Sequence, residues 1–473
     1  MNSKRIAVVG GGLTGLSAAY YLQKEIGEKG LDMEFTLYEA SARLGGKIKT
    51  DYTDGFVIEL GPDSFLARKQ SASILAKEVG LGSTLVHNSS GQSYILHEGK
   101  LYPMPGGAIM GIPTQWGPFL KTRLFTPLGK IRAAGDLFFP KTMKDGKDVS
   151  LGTFFRSRLG NEVVDRLIEP LLSGIYAGDI DKLSLQATFP HFQQLEEKYR
   201  SLILGMKSNI AKQQSGAQPA QKKGKGKGMF LSLTGGLQSL VDGVENKLEK
   251  GVVQKNKQLV EVTKNGSSYR LRFDDGDVDE ADCLIFATPH HVTYRLLKQY
   301  SFAEFLHQIP STSVATVALA YRHDALKKDI DGSGFVVSKK SKYSITACTW
   351  THRKWAHSSP EGYALLRGYV GRAGDEAIVE KSDDEIVSAV LKDLNQMMEI
   401  DGQPQFYRIT RWKKSMPQYE VGHLDSLKRV YEGVGRELPG VFLTGASYGG
   451  IGLPDCIDQG KRTAEKVIHH LGE

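Results

Sequence analysis

Near the start of the chain stand three glycines, one glutamate and a short cationic loop whose types and spacing suit chemistry. Gly10, Gly12 and Gly15 fall in G-x-G-x-x-G spacing, with Gly11, Leu13 and Thr14 between them. In such a turn the first glycine allows the tight bend and the second lets backbone N–H groups approach a pyrophosphate. The third lets the following helix pack closely. Glu39 closes the next apolar run, where its carboxylate can accept hydrogen bonds from the two ribose hydroxyls of an adenosine and would repel a 2′-phosphate. Beyond Ala40, the run Arg43-Leu44-Gly45-Gly46-Lys47 adds a second glycine pair flanked by cations, within reach of the same phosphates. The chemistry these residues suit is recognition of a dinucleotide.

Those residues need a strand, a helix and a second strand to hold them. Residues 6–9 form a short apolar run that reads as a buried parallel strand, and Leu16, Ala18, Ala19 and Leu22 give the helix after the glycines a small apolar face. Residues 35–38 make the second strand. A strand over 55–65, broken by a Gly-Pro turn at Gly61 and Pro62, a helix over 71–80 and a hairpin over 93–102 follow. The stretch 103–140 is rich in Phe, Leu, Pro and Gly with Lys121, Arg123, Lys130 and Arg132 among them. It reads as core, or as a surface facing an anionic membrane. Helical patterning over 151–168 is expected to stop at Pro170, and 171–179 reads as a turn-rich connection lining a pocket. Residues 208–228, rich in Gln, Gly and Lys, read as a mobile insertion unable to bury enough surface to order itself. From Met229 the nucleotide fold resumes with a glycine turn, a helix, a β-meander and a buried strand over 283–286. A β-rich region over 313–370, an amphipathic helix over 384–398, and a last strand and glycine turn over 441–460 complete the chain.

At 473 residues the chain exceeds one core, so two or three domains are expected. No run of ~18 apolar residues is present to span a bilayer, and the apolar segment at 6–9 is too short for a signal-peptide core. Cys283, Cys348 and Cys456 are far apart and in no metal-ligand spacing, which points to packing residues in a reducing cytoplasm. No metal site is expected. A formal net charge of +8 favours an anionic partner or simply solubility.

The Arg43 to Lys47 continuation resembles the flavin amine oxidase and protoporphyrinogen oxidase superfamily. Gly-Pro-Asp-Ser-Phe from Gly61, Glu-Pro-Leu-Leu-Ser-Gly-Ile-Tyr-Ala-Gly-Asp from Glu169, Met-Pro-Gln-Tyr from Met416 and Leu-Pro-Asp-Cys-Ile from Leu453 resemble, within it, the FAD-dependent porphyrinogen oxidases of Gram-positive bacteria. The resemblance covers nearly the whole chain. It implies an α/β, two-dinucleotide-binding-type FAD fold of the p-hydroxybenzoate hydroxylase and amine oxidase kind, with an α+β substrate domain and an inserted helical region. Residues 1–86, 229–300 and 411–473 are expected to form the FAD domain, and 87–115 with 301–410 the substrate domain. Residues 116–207 would form a helical region lining the pocket or facing a membrane. By the same resemblance Gly61, Pro62, Asp63 and Ser64 lie beside the flavin, Val253 meets the adenine, and Trp412, Ile451, Gly452 and Leu453 are further flavin contacts.

The activity implied is oxidation of coproporphyrinogen III, and less selectively protoporphyrinogen IX, in haem biosynthesis. Six electrons pass to dioxygen and hydrogen peroxide is released. Porphyrinogen methylene bridges have weak C–H bonds, so orientation and exclusion of water matter more than a strong base, and no catalytic side chain is named. No nucleic-acid partner is expected. Peripheral contact with the inner face of the cell membrane and transfer of product to a ferrochelatase are further expectations. Three alternatives stay open: an amine oxidase, although Thr316 stands where many carry a lysine; a carotene desaturase; and a porphyrin carrier with structural FAD.

Overall fold

The computed structural model describes residues 3–89, 91–142, 146–215, 228–328 and 330–472. The chain divides into two compact units. The first comprises Met1–His87, Met229–Pro310 and Asp425–Glu473, and the second Asn88–Gly228 and Ser311–Leu424.

The first unit is built on a parallel sheet in the order Val253–Lys255, Met33–Glu39, Lys4–Val9, Cys283–Phe286, Val441–Leu443. Numbered along the chain this order is 3-2-1-4-5, the doubly wound arrangement whose ligand site lies beyond the carboxyl ends of the strands. The apolar runs are buried because helices cover one face: Leu13–Lys29, Gln238–Glu245 and Leu453–Gly472 pack Leu16, Leu22, Leu240, Val244, Ile457 and Val467 against Ile6, Val8 and Leu37. The antiparallel meander Leu259–Asn265, Ser268–Phe273, Val278–Ala281 closes the other face through Tyr269, Leu271 and Phe273. The 20-residue helix Leu453–Gly472 crosses the first helix closely because Gly460 is bare, a Cβ there falling 2.4 Å from the Thr14 carbonyl oxygen.

The second unit holds a seven-stranded sheet in the order Phe406–Pro417, Ser311–Arg322, Tyr363–Val370, Ile345–Trp350, Gly334–Val337, Tyr94–His97, Lys100–Pro103. All neighbours are antiparallel except Gly334–Val337 beside Tyr94–His97. Helix Asp383–Met398 starts in a capping box of Ser382 and Glu385 and lays Ile386, Val390 and Leu394 on the sheet. The remaining helices are tied by a fully buried ionic cluster, in which Arg158 Nε donates to Asp136 Oδ1 at 2.6 Å and its Nη1 lies 3.3 Å from Glu196 Oε1.

Four expectations change. The helix expected to stop at Pro170 runs on as Glu169–Tyr176, because the π-helical turn Val164–Ile168 before it absorbs the break in the hydrogen-bond ladder that proline forces. The turn comes later, at Ala177, with φ +48°. Residues 208–215, expected to lack order, complete the helix Leu202–Ser215, while 216–227 lie outside the described residues. Residues 411–424, expected with the nucleotide domain, belong to the second unit, because strand Phe406–Pro417 pairs along Ser311–Arg322 through Trp412. The stretch 103–140 is divided: Phe119, Leu124 and Phe125 are core, whereas Leu120, Leu128, Ile131 and Phe138 are exposed.

Candidate functional site

At the carboxyl end of strand Lys4–Val9 the three glycines do three different jobs. Gly10 takes φ +105°, and a Cβ there would lie 3.0 Å from the Ala287 carbonyl oxygen, so the bend requires glycine. Gly15 is the tightest position, with a Cβ only 1.9 Å from the Gly10 carbonyl oxygen. A Cβ on Gly12, in contrast, meets nothing within 4 Å. Gly12 is also the N-cap of helix Leu13–Lys29 and has no side-chain cap. The N–H groups of that first turn, which have no partner within the helix, stand at the positive end of the helix dipole beside open space that a side chain on Gly12 would occupy.

Two further elements frame that space. Glu39, at the end of the second strand, accepts the Gly11 N–H at 2.7 Å through Oε2, while Oε1 accepts the Ser41 N–H at 2.9 Å and the Ser41 hydroxyl at 2.8 Å. The carboxylate is thereby fixed at the rim of the glycine turn with lone pairs to spare. The second glycine pair docks onto the first: Gly45 N–H donates to the Gly11 carbonyl at 2.8 Å, and a Cβ on Gly46 would fall 3.2 Å from Gly12 Cα. Arg43 holds this loop, its guanidinium donating to the carbonyls of Leu44, Gly46 and Ile48. Burial pushes the Lys47 ammonium below its ordinary range, an effect that the nearby Cys456 thiol opposes.

The other expected contacts lie at the following places in the fold. Val253 is paired with Leu37 on the strand flanking the one that ends at Glu39, and Ala40 opens the bend after it. Ile451 and Gly452 form the turn into Leu453, where the last helix begins, and Lys69 anchors that helix through Asp455 Oδ2 at 2.7 Å. Asp63 accepts from the Ser64 hydroxyl at 2.7 Å, and its carbonyl accepts from Ser232 at 3.0 Å, after Gly61 and Pro62 in the same unit. Trp412 is on strand Phe406–Pro417 of the second unit, paired with Val314. Sequence reasoning missed Ser41, Leu44 and Gly460. Leu44 packs beneath Gly11, where a Cβ would come within 2.4 Å of its Cδ2; the only signal was an apolar residue inside a polar loop.

The model of the flavin-containing amine oxidoreductases matches residues 13–468. The chain belongs to that family. It is 50% identical to a coproporphyrinogen III oxidase of Bacillus subtilis (strain 168), over 99% of this chain and 98% of the relative. It is 44% identical to the coproporphyrinogen III oxidase of Staphylococcus aureus (strain NCTC 8325 / PS 47), over 99% of this chain and 100% of the relative. Among solved structures, a candidate protoporphyrinogen oxidase from Exiguobacterium sp. 255-15 superposes over the full length of both chains, with a TM-score of 0.87 and 40% identity. The match over the full length of both chains places the parallel sheet and the seven-stranded sheet alike within that family's fold.

Proposed function

We propose that the protein is a FAD-dependent oxidase converting coproporphyrinogen III to coproporphyrin III in haem biosynthesis. The observation that carries this is agreement over the whole chain, at 50% identity, with a relative bearing that activity. The cradle fits the cofactor, because Gly12 faces open space at a helix N-terminus beside a fixed carboxylate. In this reading the backbone of Gly10, Gly11, Gly12, Leu13, Thr14 and Gly15 takes the pyrophosphate and Glu39 the ribose. Val253 meets the adenine; Arg43, Gly46 and Lys47 shape the phosphate loop; Gly61 to Ser64, Ile451, Gly452, Leu453 and Trp412 serve the flavin end. Bound FAD supplies the two-electron acceptor. The chain's own task is to orient a methylene bridge and exclude water, which calls for no strong base. Removal of six electrons consumes three dioxygen molecules and yields three of hydrogen peroxide. Anaerobic coproporphyrinogen III should bleach the yellow protein, and air should restore the colour with release of peroxide. A carrier with structural FAD would not bleach, and turnover of primary amines in place of porphyrinogen would favour an amine oxidase.

Peripheral contact with a membrane forms part of this reading. Leu120, Leu128, Ile131 and Phe138 are 59%, 78%, 69% and 77% exposed, with Lys121, Arg123, Lys130 and Arg132 among them. Such a surface suits the interface of an anionic bilayer. Among the described residues no helix is long and apolar enough to cross a membrane. From that interface coproporphyrin would pass to a ferrochelatase.

A further inference from the structure

The meander of the first unit ends on an open edge. Among the described residues, strand Leu259–Asn265 is paired with Ser268–Phe273 alone. Among the described residues no backbone group of another element hydrogen-bonds residues 259–264. Leu259 and Val262 turn inward, while Val260, Glu261, Thr263 and Lys264 are exposed along the edge. Opposite it, the last turn of helix His290–Leu297 and the residues after it, including Arg295, Lys298 and Tyr300, form the second wall of a groove of about 600 Å³.

The lining is strongly cationic. Lys264, Arg272, Arg295 and Lys298 face it with one acid, Glu261, which is already paired with Arg272 at 2.6 Å. Lys264 donates to the Glu437 carbonyl at 3.2 Å, whereas Arg295 and Lys298 enter no ion pair among the described residues. A lysine on an edge strand is a common guard against unwanted pairing. Lys264 by itself would serve that end, and Arg295 and Lys298 come from a separate element across the groove. The cations come from two elements, Lys264 from the strand and Arg295 and Lys298 from the helix end opposite, and they stand beside a strand edge with no second backbone partner among the described residues, which suits an extended acidic chain.

We infer that this groove docks an extended acidic segment of a partner protein. The segment adds as a fourth strand to Leu259–Asn265 and sets its carboxylates against Lys264, Arg295 and Lys298. The main-chain ladder supplies register and the cations supply selection for acidic side chains. This surface is independent of the cofactor cradle, so the inference stands or falls apart from the oxidase reading.

The probe is a fluorescein-labelled eight-residue peptide of alternating glutamate and threonine, titrated onto the flavin-loaded, full-length protein. Binding should saturate, and it should weaken about fivefold in the double variant Arg295→Ser/Lys298→Ser, as expected for loss of two exposed ion pairs. The amides of 259–265 should exchange hydrogen more slowly in the complex. A second peptide, alternating glutamate and proline, has the same charge but lacks half the N–H groups, and it should bind at least about fivefold more weakly. Equal binding of the two peptides, or no protection of 259–265, would reduce the groove to nonspecific attraction and overturn the inference. So would affinity unchanged in the double variant.

Discussion

Gly12 and Gly15 are one helical turn apart, yet added methyl groups would meet opposite surroundings there, and this separates a binding residue from a folding residue. A side chain at Gly12 enters open space, so Gly12→Val should fold, melt like the flavin-stripped parent and purify colourless. Gly15→Ala drives a Cβ to 1.9 Å from the Gly10 carbonyl, so turn or helix must shift. A loss of roughly 2–3 kcal/mol is expected, read as a lower urea midpoint even for the flavin-free protein. His423 makes a pH prediction. It is buried, stacks on Tyr419 at 4.3 Å, and burial pushes its imidazole down to about 4 despite the opposing charge of Asp148. Above pH ~6.5 the ring is neutral in both folded and unfolded chains and has no effect. As pH falls from there towards 4 the unfolded chain takes up a proton that the folded one refuses, so stability is lost, by up to about 2–3 kcal/mol. His423→Phe keeps the stack and should lose less stability than the parent between pH 7.5 and 4.5, measured by urea unfolding.

At the scale of elements, the helices of the second unit depend on Arg158, whose guanidinium also donates to the carbonyls of Asp136, Pro140 and Arg200. Arg158→Ala would leave Asp136 and Glu196 buried without their cation and should cost about 3–5 kcal/mol, seen as a fall in melting temperature and urea midpoint. Helix Pro127–Ala134 and the turn after it present Ile131 and Phe138 to solvent, so Ile131→Glu/Phe138→Glu should leave stability nearly unchanged and abolish co-sedimentation with vesicles rich in anionic lipid. Retained binding would remove the membrane reading. These elements also show what a sequence discloses. The glycine turn, the first strands and the helix over 384–398 are legible because each is set by local rules, tight bends and apolar periodicity; the capping box that starts that helix one residue earlier is seen in the structure. The passage through Pro170 was not, because a π-turn is a ladder adjustment without a side-chain pattern of its own. Residues 208–215 look polar enough to stay open, yet they extend a helix already nucleated by the buried Leu202, Ile203 and Met206. The site divides in the same way. Gly10, Gly12, Gly15 and Glu39 announce themselves, but the Ser41 clamp on Glu39 and the Leu44 packing under Gly11 are tertiary facts.

For the whole molecule, charge carries the argument for substrate preference. Coproporphyrinogen III carries four propionates, and protoporphyrinogen IX carries two with vinyl groups in place of the others. The protein's net charge of +8 favours the more anionic substrate by long-range attraction, and this term fades with salt because it acts beyond a Debye length of about 8–10 Å. Local pairing adds to it. Each propionate held at a partly exposed rim contributes about 0.5–1 kcal/mol, so two extra carboxylates give some tenfold preference and no more. The expected result is a kcat/KM for coproporphyrinogen III about tenfold above that for protoporphyrinogen IX at low salt, narrowing severalfold as ionic strength rises. The measurement is initial rates under air for both porphyrinogens at two salt concentrations. A preference for protoporphyrinogen IX at both would end the four-carboxylate argument. A coproporphyrinogen rate indifferent to salt would shift the basis of selectivity from charge to the shape of the pocket, leaving the oxidase assignment in place.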